Sequence, residues 1–213
     1  MNRRQVLKNL GYGAGFLVAT PTVMSLLQSC KNEPEFNPVF LSKTEGHALR
    51  RTVGLIVPEG KNVPGAVAIG AHTFIDAYWN EVIPQQQQQQ IRVGFKKLSE
   101  KFTGMFNKDI GEGNAEDYGQ LLENYLKADK TDRELWDGEM LNFYQAHAKD
   151  QSIEPNTDPA VYGLLSNIRS MTIWAWKTSE EIGKNVLWYD PVPGQYLGCI
   201  PSNEAGNGNA MAL

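Results

Sequence analysis

The chain has 213 residues, with 20 Lys and Arg against 24 Asp and Glu, three His and two Cys. Its first thirty residues hold three of the basic residues and none of the acidic ones, which leaves a net charge of −7 on the remainder. Such an acidic chain offers no basic patch for phosphates, so nucleic acid is excluded as an expected partner. The two cysteines form no C-x-x-C-H haem motif, and they are too few for a four-cysteine iron–sulfur cluster or a cysteine-based zinc site.

Residues 1–30 have the pattern of an export signal. Arg3 and Arg4 precede "QVLK", which is typical of the twin-arginine route for folded proteins. The apolar stretch from Leu10 to Leu27 is interrupted by glycines and Pro21. It is therefore shorter and less hydrophobic than a membrane-spanning helix, which needs about 20 strongly apolar residues. The "GYGAG" within it lacks the last glycine of a dinucleotide loop and follows no strand. We therefore expect an exported chain that binds no cofactor itself.

The signal ends in "LLQSC", which resembles a bacterial lipobox with Cys30 as the lipidated residue. Acyl chains hold by burying methylenes at about 0.8 kcal/mol each, and two or three of them anchor a protein firmly. The sequence thus predicts a lipid-anchored protein at the periplasmic face of a bacterial membrane. Cys199 would then bond to another chain or stay buried as a thiol; a Cys30–Cys199 bridge requires that Cys30 is not lipidated.

After the signal, the chain divides into three further parts. Residues 31–43 form a polar linker with two prolines, and residues 44–188 show helical periodicity. Residues 189–213 contain three prolines and two tyrosines up to Pro201, followed by a small, polar tail. We expect an extended segment that lies on another surface and then a mobile tail.

The periodicity predicts helices in the following order. The first ends before Pro58, and the second starts at Ala66; the third follows Pro84 and begins with solvated turns from the run Gln85–Gln90. The apolar face predicted for the first helix is Leu49, Val53 and Ile56. That of the second is Phe74, Ile75, Tyr78, Trp79 and Val82. That of the fourth is Tyr118, Leu121, Leu122 and Tyr125.

Two more helices follow. "TDRE" has the spacing of a capping box, with Thr131 and Glu134, ahead of a face of Trp136, Met140, Phe143 and His147. Asp158 is the expected cap of the last long helix, with Pro159 in its first turn. That helix carries Val161, Leu165, Ile168, Met171 and Ala175 on one face. The predicted fold is all-α, an irregular bundle of about five to seven helices without strands.

No residue pattern marks a catalytic or metal site. His47, His72 and His147 are far apart in sequence. His72 and Asp76 lie four residues apart and could touch on one helix, and we expect this pair to have a structural role. His147 is expected to be a packed, hydrogen-bonded core residue. The carboxylates of Glu180–Glu181 and Glu112–Asp117 are expected to be solvated charges rather than a catalytic pair. Neither G-x-S-x-G nor H-E-x-x-H is present in the sequence.

Two segments carry a family resemblance. "LIVPEGKNVPGAVAIGAHTFIDAYW", with its Pro-Gly-Ala turn and Phe-Ile-Asp, is similar to a segment of gluconate 2-dehydrogenase subunit 3 proteins. "YDPVPGQYLGCIP" resembles the carboxyl-terminal pattern of the same family. Taken alone, Pro64-Gly65-Ala66 is a loop into a helix that needs no partner, and Phe74-Ile75-Asp76 is ordinary core plus a surface acid.

The resemblance implies a small, non-catalytic subunit that accompanies a large flavoprotein of the glucose–methanol–choline oxidoreductase type. FAD is expected in that partner, which in such complexes often passes electrons to a cytochrome c. The proline-rich carboxyl-terminal segment is expected to contact the partner. Its candidate contact residues are Tyr189, Pro193, Gly194, Tyr196 and Cys199, the last of which could form an intersubunit disulfide. Two alternatives remain open: an autonomous helical envelope lipoprotein, and a hydrolase that uses unmarked carboxylates.

Overall fold

The structure, a computed structural model, describes residues 36–150, 152–188, 194, 199–201 and 203–211. The chain divides into two units, Met1–Phe36 and Asn37–Leu213, and the fold below is that of the second. Its α-helices are α1 Lys43–Ile56, α2 Ala71–Glu81, α3 Gln85–Phe106, α4 Ala115–Leu126, α5 Lys130–His147, α6 Thr157–Thr178 and α7 Glu180–Asn185. Two 3-10 helices, Ile110–Glu112 and Ala205–Gly208, complete the elements.

The predicted all-α class is confirmed. The described residues form seven α-helices and no strand, with one isolated bridge between Trp188 and Met211. The division of the chain into signal, linker, helical domain and mobile tail stays a prediction. None of the helices in the described ranges is long and apolar enough to span a membrane.

Helix α6 is the centre of the bundle, and it packs against α1 to α5 and against α7. Most of the face predicted for it is buried, because apolar residues three and four apart line one side of a helix. The buried members are Val161, Leu165, Ile168 and Ala175. The core continues into α1 through Leu49 and Val53, and into α3 through Phe95, Leu98 and Phe102.

Two helices begin with capping boxes, but not where the sequence predicted one. Ser42 and Glu45 bond reciprocally at the start of α1. Asn114 and Asp117 do the same at α4. The box predicted at Thr131 is wrong, because α5 already begins at Lys130.

The predicted cap of α6 is also wrong. Asn156 precedes the first residue of α6, and Asp158 lies inside the first turn, next to Pro159. The Asp158 carboxylate instead accepts hydrogen bonds from Lys101 at 2.7 Å and from the Tyr125 hydroxyl at 2.5 Å. A carboxylate with two such donors from other helices ties α6 to α3 and α4 rather than capping its own helix.

Helix α2 starts later than predicted. Residues 66–70 form turns, and Gly70 has a φ of 74°, a left-handed conformation that suits glycine and interrupts a helix. Of the apolar face predicted for α2, Ile75 and Trp79 are buried. Phe74 and Val82, which were predicted on the same face, are 42% and 60% exposed.

The glutamine run is helical and largely exposed, as predicted. One member has a structural role: Gln88 Nε2 donates to the carbonyl oxygens of Trp79 and Asn80, at 2.9 and 3.1 Å. These carbonyls belong to the last turn of α2, where helix acceptors lack partners of their own. Gln88 therefore joins the end of α2 to the start of α3.

Candidate functional site

The residues predicted to act in export, anchoring and partner contact lie mostly outside the described residues. These are Arg3, Arg4, Cys30, Tyr189, Pro193 and Tyr196. Gly194 and Cys199 are described, and both are exposed. Cys199 is a free thiol at the surface, so the alternative of a buried thiol is wrong. Its role at a partner interface stays a prediction.

The acidic residue of the Phe-Ile-Asp motif is buried, not at the surface. Asp76 is 2% exposed, and its carboxylate accepts backbone N–H bonds from three successive residues of the segment that precedes α1. The distances are 2.6 Å from Val39, 3.2 Å from Phe40 and 2.9 Å from Leu41. Three amide donors around one carboxylate offset the cost of burying its charge. We call this arrangement the Asp76 clamp.

A second contact holds the same segment from α3. The Arg92 guanidinium lies over the Phe40 ring, 4.2 Å from its centroid, and donates to the Phe40 carbonyl oxygen at 3.3 Å. The Phe40 ring also meets the Trp79 ring edge-on, with 6.3 Å between centroids. The point where the chain enters the helical body is thus fixed by α2 and α3 together.

The Pro-Gly-Ala motif is used inside the fold. The Pro64 carbonyl accepts from the Trp176 indole at 2.8 Å, and the Ala66 N–H donates to Val57 at 2.9 Å. A Cβ on Gly65 would lie 2.7 Å from the backbone nitrogen of Glu59, so only glycine permits this approach. These contacts support the interpretation of the motif as a turn that leads into a helix.

Of the three histidines, His72 has the most perturbed chemistry. Burial, assisted by the positive charge of Arg50, lowers its pKa from 6.5 to about 4, so the imidazole is neutral at physiological pH. His47 Nε2 lies 2.9 Å from the Gly113 carbonyl, and His147 Nδ1 lies 2.9 Å from that of Ile153. No group of three or more His, Cys, Asp or Glu in the described part of the chain could hold a metal ion.

His147 is hydrogen-bonded as predicted, but it is not a core residue. Helix α5 buries none of its side chains, and its predicted face is only half-buried. Sequence periodicity identified the inward side of α5 and could not show how closely that side packs.

One carboxylate of each predicted pair is tied to a cation. Asp117 accepts from Lys108 at 2.8 Å as well as capping α4, so it is not merely a solvated charge. Glu180 pairs with Lys184 at the surface. Lys96 and Lys97 both bond Glu154, and they lower its pKa to about 2. These ion pairs hold helices and loops in place, and none has the isolated, raised-pKa carboxyl that acid catalysis needs.

Two surface features remain that the sequence did not identify. Phe74, Tyr78 and Trp174 form an aromatic cluster with centroid separations of 5.3 to 5.9 Å, and Phe74 and Trp174 stay about two-fifths exposed. A groove of about 480 Å³ runs between α3, α5 and α6, with the start of the glutamine run along one side. Both are made by residues from distant parts of the chain.

Comparison with known proteins gives one match. The family model described as "Gluconate 2-dehydrogenase subunit 3" matches residues 43–194, more than two thirds of the chain, from the first residue of α1 into the carboxyl-terminal segment. Neither a curated protein nor a solved structure matches the chain.

Proposed function

The chain belongs to the gluconate 2-dehydrogenase subunit 3 family, and on this premise we propose that it exports and anchors a larger dehydrogenase subunit without catalysing the reaction itself. The coarser part follows from the family: an accessory subunit of a gluconate 2-dehydrogenase complex that associates with a larger subunit. The observation that carries the proposal is the extent of the match, which includes the whole helical body and reaches residue 194.

The larger subunit is a flavoprotein of the glucose–methanol–choline type, with FAD as its cofactor and a cytochrome c as electron acceptor. A flavoprotein that acquires its flavin in the cytoplasm has to cross the membrane folded. The twin-arginine pattern at Arg3 and Arg4 belongs to a route that accepts folded proteins. One signal on the small subunit then serves both chains.

Lipidation at Cys30 then fixes the complex to the periplasmic face of the membrane. Val39 lies nine positions after Cys30, a span of at most about 32 Å of extended chain. Val39 is the first residue held by the Asp76 clamp. The clamp would therefore be the point at which the tether joins the helical body.

Two features support contact with the larger subunit. Cys199 and Ile200 are exposed in the carboxyl-terminal segment, where an apolar side chain and a thiol are available to a partner. The exposed aromatic cluster of Phe74, Tyr78 and Trp174 is of the composition that is enriched at protein interfaces.

The test replaces Arg3 and Arg4 with lysines in the native host, which keeps the charge and removes the motif. We expect the partner's oxidoreductase activity to remain in the cytoplasm, whereas Arg169→Lys, a conservative change at an exposed position of α6, leaves export intact. Cys30→Ala should release exported activity from the membrane fraction. Unchanged export of the activity would sink the proposal. So would recovery of the chain as a stable monomer with no oxidoreductase bound, the outcome expected for an autonomous lipoprotein.

A further inference from the structure

The groove between α3, α5 and α6 has the size and lining of a small-molecule site. Its volume of about 480 Å³ lies within the roughly 300–1,000 Å³ of typical ligand pockets. We propose that this groove binds a neutral carbohydrate. The proposal uses residues that play no part in export or anchoring, so it goes beyond the function proposed above and stands on the groove's own chemistry.

The walls of the groove are apolar and aromatic. On α5, the ring centroids of Phe143 and Tyr144 are 5.4 Å apart, and those of Phe143 and His147 are 5.1 Å apart. Leu164 and Met171 of α6 line the groove together with Trp79 from α2. A sugar ring presents C–H groups on its faces, and aromatic rings with their large apolar area are suited to pack against them.

The rim of the groove is rich in amides. Gln86, Gln87, Gln89 and Gln90 line it from α3, and Asn167 lines it from α6. Each carboxamide offers two N–H donors and an acceptor oxygen, which matches hydroxyl groups that both donate and accept. Gln85 and Gln88 are absent from the lining, and Gln88 instead bonds the end of α2. The glutamine run thus places four of its six amides at the groove.

Two further lining residues have polar atoms that suit hydroxyl groups. His147 Nδ1 donates to the Ile153 carbonyl at 2.9 Å, which leaves Nε2 as the ring nitrogen that can bond a hydroxyl group. Burial raises the pKa of Tyr144, so its hydroxyl stays protonated at neutral pH and can both donate and accept. Both residues lie on α5, whereas the glutamines lie on α3.

The absence of charge selects the ligand. No Asp, Glu, Lys or Arg lines the groove within the described residues, although 21% of the chain is charged. Lys96 and Lys97, further along α3, are paired with Glu154. An anionic ligand would lose hydration in this groove without gaining a counter-charge. A wholly apolar ligand would leave the rim amides covered without partners, which also costs free energy. A neutral, polyhydroxylated ligand meets both conditions.

The experiment is isothermal titration calorimetry on the full chain in a zwitterionic detergent, because glycoside detergents would compete. The probes are D-glucose, D-galactose and cellobiose, with D-gluconate as a probe of similar size and negative charge. We expect saturable binding of at least one neutral sugar and at least tenfold weaker binding of gluconate. Phe143→Ala and Asn167→Leu should each weaken sugar binding about tenfold, which corresponds to about 1.4 kcal/mol.

Gln145→Ala is the matched control, because Gln145 is exposed on α5 and does not line the groove. It should bind sugar as the unmodified chain does. Asn167 is exposed, so its substitution keeps the test valid if Phe143→Ala fails to fold. The proposal is overturned by no saturable binding of any neutral sugar to the unmodified chain, by gluconate binding as tightly, or by equal loss in Gln145→Ala. Export in the lysine variants tests the accessory function separately, so the two proposals can fail independently.

Discussion

The Asp76 clamp gives the sharpest prediction for stability. Replacing Asp76 with alanine removes the acceptor of three backbone amides, two of which belong to the buried residues Phe40 and Leu41. A hydrogen bond to a charged group contributes about 1.5–3 kcal/mol, and each buried donor left without a partner costs about 1–3 kcal/mol. Because these contributions overlap, we expect Asp76→Ala to lower the free energy of unfolding by about 3–5 kcal/mol.

Asp76→Asn separates charge from shape. Asparagine keeps one acceptor oxygen at nearly the same position, but its NH₂ group would face one of the backbone N–H donors. We therefore expect a loss of about 2 kcal/mol, between the unmodified chain and Asp76→Ala. Asp137→Ala, at an exposed position of α5, is the control and should change stability by less than about 0.5 kcal/mol.

The assay is urea unfolding followed by circular dichroism at a helical wavelength, with hydrogen exchange as a local readout. In Asp76→Ala the amides of Val39, Phe40 and Leu41 should exchange faster than in the unmodified chain, relative to the amides of α6. Equal stability of Asp76→Ala and Asp137→Ala would refute the reasoning. Unchanged exchange of the three amides would refute it as well, since their protection is what the carboxylate is expected to supply.

Two further predictions concern His72 and Cys199. The pKa of His72 is about 4 in the folded chain against 6.5 in the unfolded chain, so between these pH values only the unfolded state binds the proton. The free energy of unfolding should therefore fall by up to about 3 kcal/mol as the pH drops from 6.5 to 4. Urea unfolding across that window should show a shallower pH slope in His72→Gln; an unaltered slope would assign the acid sensitivity to other groups. Because Cys199 is an exposed thiol, non-reducing electrophoresis of the native complex should show the two subunits joined, and Cys199→Ser should separate them. Separate migration of the unmodified subunits would contradict the intersubunit disulfide.

Much of the helical fold was predictable because it depends on local spacing. Apolar residues three and four apart identified the inward sides of α1, α4 and α6, and the glutamine run was correctly predicted to be helical. Prediction failed at helix starts. Thr131 and Asp158 are of residue types that often cap helices. At both places the helix begins one residue earlier, at Lys130 and Thr157, so both residues lie inside the first turn. Helix α2 begins only after Gly70, which has a positive φ. Glycine permits this conformation but does not require it, so the sequence alone did not indicate the later start.

The sequence by itself determined the all-α class, the signal-like first thirty residues and the family, because periodicity and short motifs are properties of neighbouring residues. Only the tertiary structure decided what the motif residues do. Asp76 has the sequence context of a surface acid, yet the amides that make it a buried clamp come from residues 35 to 37 positions earlier. The groove likewise needs α3, α5 and α6 side by side. Such sites depend on long-range packing, which no local pattern of residues specifies.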